Sequence, residues 1–314
     1  MLKVGLVGVG GISGAHIPAW DSMEETALVA LCDIRPQCMK PYPDRHGYTR
    51  FEDMLENEEL DILDICLPTN LHAEYAIRAI ERGIHVICEK PLSLDAADVE
   101  RIYAAARQHD VFFMPAQVIR FWPEYVLLKE IADSARFGRL LAGSMTRLGG
   151  IPKWSWDNWM TDASRSGLVP FDLHVHDLDF MVYAFGTPKA VQSRRIRRPE
   201  QDYIHAVYEF SDFFITAEAS WYAAPYPFTA GFRFQFEHAI LAYENGRCTL
   251  YQDDGTVTDL SANATGDTGA INLPKCDAYA AEIRYFTDCV QNGHAPDRIR
   301  PEELRTVIEL LKKL

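Results

Sequence analysis

Two short stretches of this 314-residue chain carry residue types that move protons. Glu89-Lys90-Pro91 follows the apolar run Ile84 to Cys88. Asp172-Leu173-His174-Val175-His176-Asp177-Leu178-Asp179 follows Ser166-Gly167. Pro91 disfavours helical backbone in the residue before it, so Lys90 is extended and its side chain can project from a strand end. A partly desolvated lysine there can lower its pKa and donate or shuttle a proton; the plain alternative is a surface lysine paired with Glu89. Asp172 and His176 stand four apart and on a helix would share one face. A carboxylate beside a histidine raises its pKa and fixes its orientation, which is a general-base arrangement. The same segment also reads as acids at the first turn of an ordinary helix, or as a metal site built from two histidines and three carboxylates.

The opening residues say which chemistry these groups would serve. Leu2 to Val7 reads as a buried parallel strand. It feeds Gly8-Val9-Gly10-Gly11-Ile12-Ser13-Gly14, and a helix follows through His16, Ile17 and Trp20. Gly8 permits a tight turn, Gly10 lets backbone approach phosphates, and the helix N-terminus offers free N–H groups and a positive dipole end. Asp33 closes a second apolar run, Ala27 to Cys32, and can accept hydrogen bonds from ribose hydroxyls. This order of strand, turn, helix, strand and acid predicts NAD. Arg35, two residues on, could accommodate a 2′-phosphate and keeps NADP open. Ser13 stands where the usual pattern has its third glycine. A secretory signal after Lys3 is the rival reading of this stretch, and the glycines and Ser13 inside its apolar core argue against it.

In open parallel sheets ligands bind beyond the carboxyl ends of the strands. That rule selects Gly8, Gly10, Gly11, Ile12, Ser13 and Asp33 as cofactor-binding candidates. It adds Pro68, Thr69, Asn70 and His72 after the run ending near Leu67, and Glu89 and Lys90 after the next. The catalytic candidates are Lys90, Asp172 and His176. No metal is assigned, because hydride transfer to a nicotinamide does not require one. His16, Trp154, Trp156 and Trp159 either line the site or simply pack.

The elements that must position these residues fall into two groups. Apolar runs at 2–7, 27–32, 61–67, 84–88 and 111–115 alternate with helical patterns at 12–22, 51–57, 71–82 and 95–108. That alternation predicts an α/β fold with a doubly wound parallel sheet over residues 1–118. Asn70 and Ser93 stand where N-caps belong, and Gly83 where a C-cap belongs. A helix at 123–135 then leads to strand-like runs at 139–148, 189–198, 203–210, 213–222, 230–237, 239–244 and 247–251, with hairpin turns at Asn245-Gly246 and Asp254-Gly255. Two helices follow at about 277–291 and 301–313. Residues 119–314 therefore read as an α+β domain with an open, mostly antiparallel sheet. The segment 261–274, rich in Ser, Asn, Thr and Gly, reads as a mobile loop.

Composition excludes several classes. A net charge of −14 argues against a nucleic-acid partner, even with the cluster Arg194-Arg195-Arg197-Arg198, which reads as the solvated end of an edge strand. No stretch approaches the roughly 18 uninterrupted apolar residues of a membrane span. Seven cysteines without a Cys-x-x-Cys pair read as free thiols in a reducing, cytoplasmic setting.

Taken together, Gly8-x-Gly10-x-x-Ser13-x-x-His16, Asp33, Pro68-Thr69-Asn70-x-His72, Glu89-Lys90-Pro91, Asp172-x-x-x-His176-Asp177-x-Asp179 and Ala278-Tyr279-x-x-Glu282-x-x-x-Phe286 resemble the Gfo/Idh/MocA oxidoreductases along essentially the whole chain. The resemblance implies a Rossmann domain followed by an open sheet that forms a homodimer or homotetramer interface. It implies Lys90, Asp172 and His176 as the catalytic set, and a sugar or cyclic polyol as substrate, oxidised or reduced at a hydroxyl or keto carbon. His176 would take the alcohol proton, Lys90 would bond the reacting oxygen, and Asp172 would orient both. Leu168-Val169-Pro170-Phe171 departs from the family's glycine-rich approach to the aspartate, and His174 is an additional histidine. A non-redox NAD-using glycosidase and a catalytically inactive nucleotide sensor are the rival readings of the same resemblance.

Overall fold

The structure is a computed structural model that describes residues 1–261 and 277–314. Its described residues divide into two compact units, 1–118 with 277–305, and 119–261 with 306–314. The expected loop at 261–274 lies outside the described residues except for Ser261.

In the first unit the chain runs β1 (Leu2–Val7), α1 (Ser13–Asp21), β2 (Thr26–Cys32), β3 (His46–Tyr48), α2 (Phe51–Asn57), β4 (Ile62–Ile65), α3 (His72–Ile80), β5 (His85–Glu89), α4 (Ala96–Gln108) and β6 (Phe113–Ala116). All six strands are parallel, in the order β3-β2-β1-β4-β5-β6. The order reverses between β1 and β4, so their carboxyl ends form the switch point of the sheet, and that of β5 lies next to β4. Every residue of β4 is buried, as expected when helices cover a parallel sheet. The sequence places helix caps at Asn70 and Ser93, and the structure corrects both. Asn70 sits in a 3₁₀ turn, Thr69–Leu71, ahead of α3. The α4 cap is Asp95, which accepts from the Ala97 amide, while Ser93 accepts from the Asp95 amide and donates to Asp98. Gly83 does close its helix, with φ +76°.

The second unit holds α5 (Pro123–Ser134), β7 (Leu140–Gly150), α6 (Ala163–Ser166), α7 (Val175–Phe185), β8 (Ala190–Arg198), β9 (Gln201–Glu209), β10 (Phe214–Tyr222), β11 (Thr229–Phe236), β12 (Ala239–Glu244), β13 (Arg247–Gln252) and β14 (Val257–Asp259). Its sheet runs β14-β13-β12-β11-β7-β10-β9-β8, antiparallel except for the β7–β10 pair. Burial alternates residue by residue along β9, so one face of the sheet is core. Tyr125 of α5, Phe180 of α7 and Phe232 of β11 meet edge to face there, with ring centroids 5.0 Å apart. Asn245 and Gly246 both have positive φ, 53° and 75°, the type I′ geometry that their sequence predicts. β8 is an edge strand, and its Arg195 pairs with Asp202 at 2.7 Å.

Helix α8 (Ala278–Asn292) corrects the expected domain boundary. Sequence assigns it with everything after residue 118, but it belongs to the first unit, where it packs on α1 and β5. Its buried face, Tyr279, Ile283 and Phe286, needs an apolar partner, and α1 supplies one. The last helix, α9 (Pro301–Leu311), spans the division at Arg305.

Candidate active site

The glycine turn has the conformation its spacing predicts. Gly8 adopts φ +94°, and a Cβ there would lie 2.5 Å from the Cys66 carbonyl oxygen, so only glycine fits. Gly10 differs: a Cβ would meet nothing within 4 Å. Both Gly10 and Gly11 are exposed, and the space over the turn is open to a bulky anion. Ser13, in the place of the third glycine, is buried and donates to the Gly10 carbonyl at 2.7 Å, so it locks the turn. α1 starts at Ser13 with no side-chain cap on Ile12; the Gly14 and Ala15 amides bond the Gly11 and Ile12 carbonyls, so the amides that can serve a ligand are those of the turn ahead of them. Asp33 is 7% exposed and accepts the Val9 amide at 2.9 Å. Arg35 clasps the same carboxylate through its amide, Nε and Nη2. Open backbone at Gly10, an uncapped helix and an acid at the end of β2 fit a dinucleotide.

The next two candidate segments divide between surface and interior. Asn70 is exposed, whereas Thr69 is buried. The imidazole of His72 is also buried, with Nδ1 2.8 Å from the Pro91 carbonyl oxygen and Nε2 2.7 Å from that of Leu67. Burial lowers its pKa against the pull of those carbonyls. Glu89 is 6% exposed: one oxygen accepts the Lys90 amide at 2.9 Å and the other faces His16 Nε2 at 3.0 Å. His72 and Glu89 are therefore turned into the protein and bear on Lys90 by holding the backbone on either side of the Lys90–Pro91 peptide, which is cis. From Val86 to Ser93 Lys90 alone is not buried.

His16 is wholly buried, and its Nδ1 lies 2.8 Å from Asp64 of β4. Trp20 Nε1 donates to the same Asp64 oxygen at 2.7 Å, and the Cys66 thiol approaches the other at 3.6 Å. Burial alone would lower the pKa of His16, but the Asp64 carboxylate reverses that and holds it well above the usual histidine value. Burial pushes the Cys66 thiol up to about 12, so it stays protonated. Among the described residues, the side chains of His16, Asp64 and Cys66 are close enough together to suggest a cation site. The doubly bonded Asp64 oxygen has both lone pairs committed to N–H donors, which favours a hydrogen-bonded cluster. Sequence reading missed Asp64, although an acid inside the apolar run Ile62 to Cys66 signals a buried partner.

Asp172 and His176 do lie on continuous helical backbone, in an unexpected form. Pro170–His174 is a π-helical turn that runs directly into α7. Gly167 and Leu168 precede it, both with positive φ, 73° and 62°. The backbone thus keeps a left-handed approach to the aspartate although leucine replaces glycine. Leu168 is held there by burial with Met160, Val169, Leu173 and Trp221, where Trp159 also packs. Trp154 and Trp156 remain exposed. From Leu168 to Val182 every residue is buried except Asp172 and His176. The neighbouring acids have structural partners: Asp179 forms a two-point pair with Arg120 at 2.7 and 2.8 Å, and Asp177 pairs with Arg147 at 2.8 Å. His174 Nε2 lies 2.6 Å from the Tyr208 hydroxyl, and burial pushes its pKa down to about 3. The metal alternative needs these acids and His174 as ligands, and they are committed elsewhere.

Comparison with known proteins gives the family and the fold. The pattern of the oxidoreductase family with an NAD-binding Rossmann fold matches residues 2–117, and that of the GFO/IDH/MocA C-terminal domain matches residues 125–258. The myo-inositol 2-dehydrogenase of Thermotoga maritima is 27% identical over 190 residues, 59% of this chain and 55% of that protein. The levoglucosan dehydrogenase of Pseudarthrobacter phenanthrenivorans is 28% identical over 210 residues, 61% and 53%. The chain thus matches about half the length of these relatives. A levoglucosan dehydrogenase solved with NADH and levoglucosan superimposes with a TM-score of 0.84 at 18% identity, covering 99% of this chain and 95% of the other. An oxidoreductase from Agrobacterium radiobacter solved with NAD+ and L-tartaric acid also gives 0.84, at 16% identity, covering 99% and 94%. A parallel sheet with a dinucleotide turn, a second unit with an open sheet, and both family patterns in register on them lead to one assignment: the chain belongs to the Gfo/Idh/MocA oxidoreductases.

Proposed function

We propose that this chain is an NAD-dependent dehydrogenase acting on a secondary hydroxyl of a sugar or cyclic polyol, with Lys90, Asp172 and His176 as its catalytic set. The observation that carries the proposal is selective exposure. In two otherwise buried segments, Val86–Ser93 and Leu168–Val182, the only residues left partly open are these three. Burying a chain segment while keeping an acid, a histidine and a lysine at the surface serves chemistry better than packing.

NAD, when bound, supplies the hydride acceptor. Gly8 shapes the turn, Gly10, Gly11, Ile12 and Ser13 present backbone toward the pyrophosphate, and Asp33 serves the adenosine ribose. Pro68, Thr69 and Asn70 follow β4 at the same edge of the sheet, and His72 and Glu89 hold the turn beside them. An alcohol proton is too weakly acidic to leave unaided at neutral pH, so a base must take it. His176 is that base, Lys90 donates a hydrogen bond to the reacting oxygen, and Asp172 orients the substrate and the imidazole. The residues of the eight-stranded sheet that alternate with its buried ones include exposed Ile196 and Phe214. A second copy of the chain covering that face, as a homodimer or homotetramer, removes this apolar surface from water. Six free thiols among the described residues suit a reducing, cytoplasmic setting.

The test is NADH formation, and the parallel reaction with NADP+, against myo-inositol, other inositols, levoglucosan, aldoses and sugar acids. Net NADH from a polyol supports the proposal. Glycoside cleavage without net NADH, or tight NAD binding without any turnover, contradicts it.

A further inference from the structure

We propose that His16 is a positioning residue for Lys90, acting as an imidazolium clamped between two buried carboxylates. The inference rests on the assignment of Lys90 to the reaction above. Both ring nitrogens of His16 face acceptors, Asp64 Oδ2 at 2.8 Å and Glu89 Oε1 at 3.0 Å. A carboxylate accepts only, so both contacts are satisfied only when both nitrogens carry protons. The second Glu89 oxygen takes the Lys90 backbone amide at 2.9 Å. A chain of hydrogen bonds therefore runs from Asp64 through His16 and Glu89 to the backbone of Lys90. The far end is anchored by the Trp20 indole on Asp64, and the His16 ring rests 5.7 Å from the Tyr279 ring of α8. Two peptides further along the chain, the Pro91 carbonyl oxygen lies 2.8 Å from His72 Nδ1.

The placement of His16 gives the chain of bonds a purpose. His16 lies in α1, the helix whose first turn is the glycine loop. One rigid helix thus sets both the seat of the pyrophosphate and, through Glu89, the direction in which Lys90 leaves the sheet. An interior normally excludes an imidazolium and two carboxylates, and they persist only when each is paired. Plain packing of α1 on β4 and β5 would be met by apolar side chains. The arrangement is instead that of an outer partner that orients a functional group.

The test is the His16→Gln variant, with Asp64→Asn as the second should the first fail to fold. Hydrogen exchange at the Lys90 amide is followed by NMR on ¹⁵N-lysine-labelled, NAD-bound protein. Loss of a hydrogen bond to a buried charge predicts exchange at Lys90 faster by about tenfold or more. NAD affinity should stay within about twofold. NADH formation from myo-inositol or levoglucosan should fall about tenfold or more in kcat, with KM for NAD unmoved. Unchanged exchange at Lys90 in a folded variant overturns the proposal. So does a loss of NAD affinity that parallels the loss of kcat, because that is collapse of α1. Lys90→Met separates the two levels: its retained turnover would refute the role of Lys90, whereas normal behaviour of His16→Gln alone refutes only the positioning.

Discussion

The carboxylate of Asp33 accepts the Val9 amide at 2.9 Å, so the acid that ends β2 is also a strut of the glycine turn after β1. Arg35 occupies the remainder of that carboxylate, with Nε on Oδ1 at 3.0 Å and Nη2 on Oδ2 at 3.1 Å. A ribose hydroxyl that bonds Asp33 must displace the guanidinium, while a 2′-phosphate would retain it as a partner. Arg35→Ala should leave NAD affinity unchanged or slightly improved and weaken NADP binding by about tenfold, one charge-assisted contact. Calorimetric titration of both dinucleotides checks this. Equal losses for the two would show that Arg35 supports the turn and does not discriminate.

Gly8 and Gly10 separate folding from binding. Alanine at Gly8 would force a Cβ to within 2.5 Å of the Cys66 carbonyl at φ +94°. The left-handed conformation costs about 1–2 kcal/mol and the overlap about 1–3 kcal/mol more. Gly8→Ala should thus lower Tm markedly even without cofactor. Alanine at Gly10 meets nothing within 4 Å, so Gly10→Ala should leave Tm of the free protein unchanged and weaken NAD by about tenfold or more. Thermal melts with and without NAD distinguish the two.

His174 imposes a pH dependence on stability. Burial, with Arg147 and His205 adding to it, holds its pKa near about 3 in the folded chain, against about 6.5 when unfolded. As pH falls below about 6.5 the unfolded chain takes up a proton that the folded chain refuses, so stability is lost. The slope is about 1.4 kcal/mol per pH unit, which gives roughly 2 kcal/mol between pH 6.5 and 5. His72, also lowered by burial, acts in the same direction. His16 has the opposite sign: its contribution is present at low pH and is lost only as pH rises through its raised pKa. His174→Gln keeps a polar group toward Tyr208 and should flatten the loss. Urea unfolding at pH 7 and pH 5 measures it, and an equal loss in the variant would contradict the assignment.

Local signals were enough for part of this site. The turn at Gly8, the acid at Asp33 and the hairpin at Asn245-Gly246 are each written within a few residues, where backbone sterics leave little choice. Their strands follow from unbroken apolar runs. Three-residue strands such as β3 and β14 have too few residues to show a period. Partners distant in sequence are not legible in this way. Asp64 meets His16 across 48 residues because β4 lies beside β1, and α8 meets α1 because the chain returns late to its first unit. Asn70 and Ser93 have the right residue types for caps, yet a 3₁₀ turn and a neighbouring aspartate displaced them. In the Asp172 segment, spacing identified the two residues that reach the surface. It could not show that Asp177, Asp179 and His174 are spent on Arg147, Arg120 and Tyr208.

The most direct test of the proposed reaction is the Lys90→Met variant, assayed for NADH formation from the polyol the wild-type chain oxidises and for NAD binding by titration. Met keeps the unbranched stem of the side chain and removes its terminal ammonium. Loss of the hydrogen-bond donor to the reacting oxygen predicts a fall in kcat of about 10²–10³-fold. NAD affinity should remain within about twofold, because backbone amides and Asp33 carry the cofactor. Turnover near the wild-type level in this variant would contradict the account.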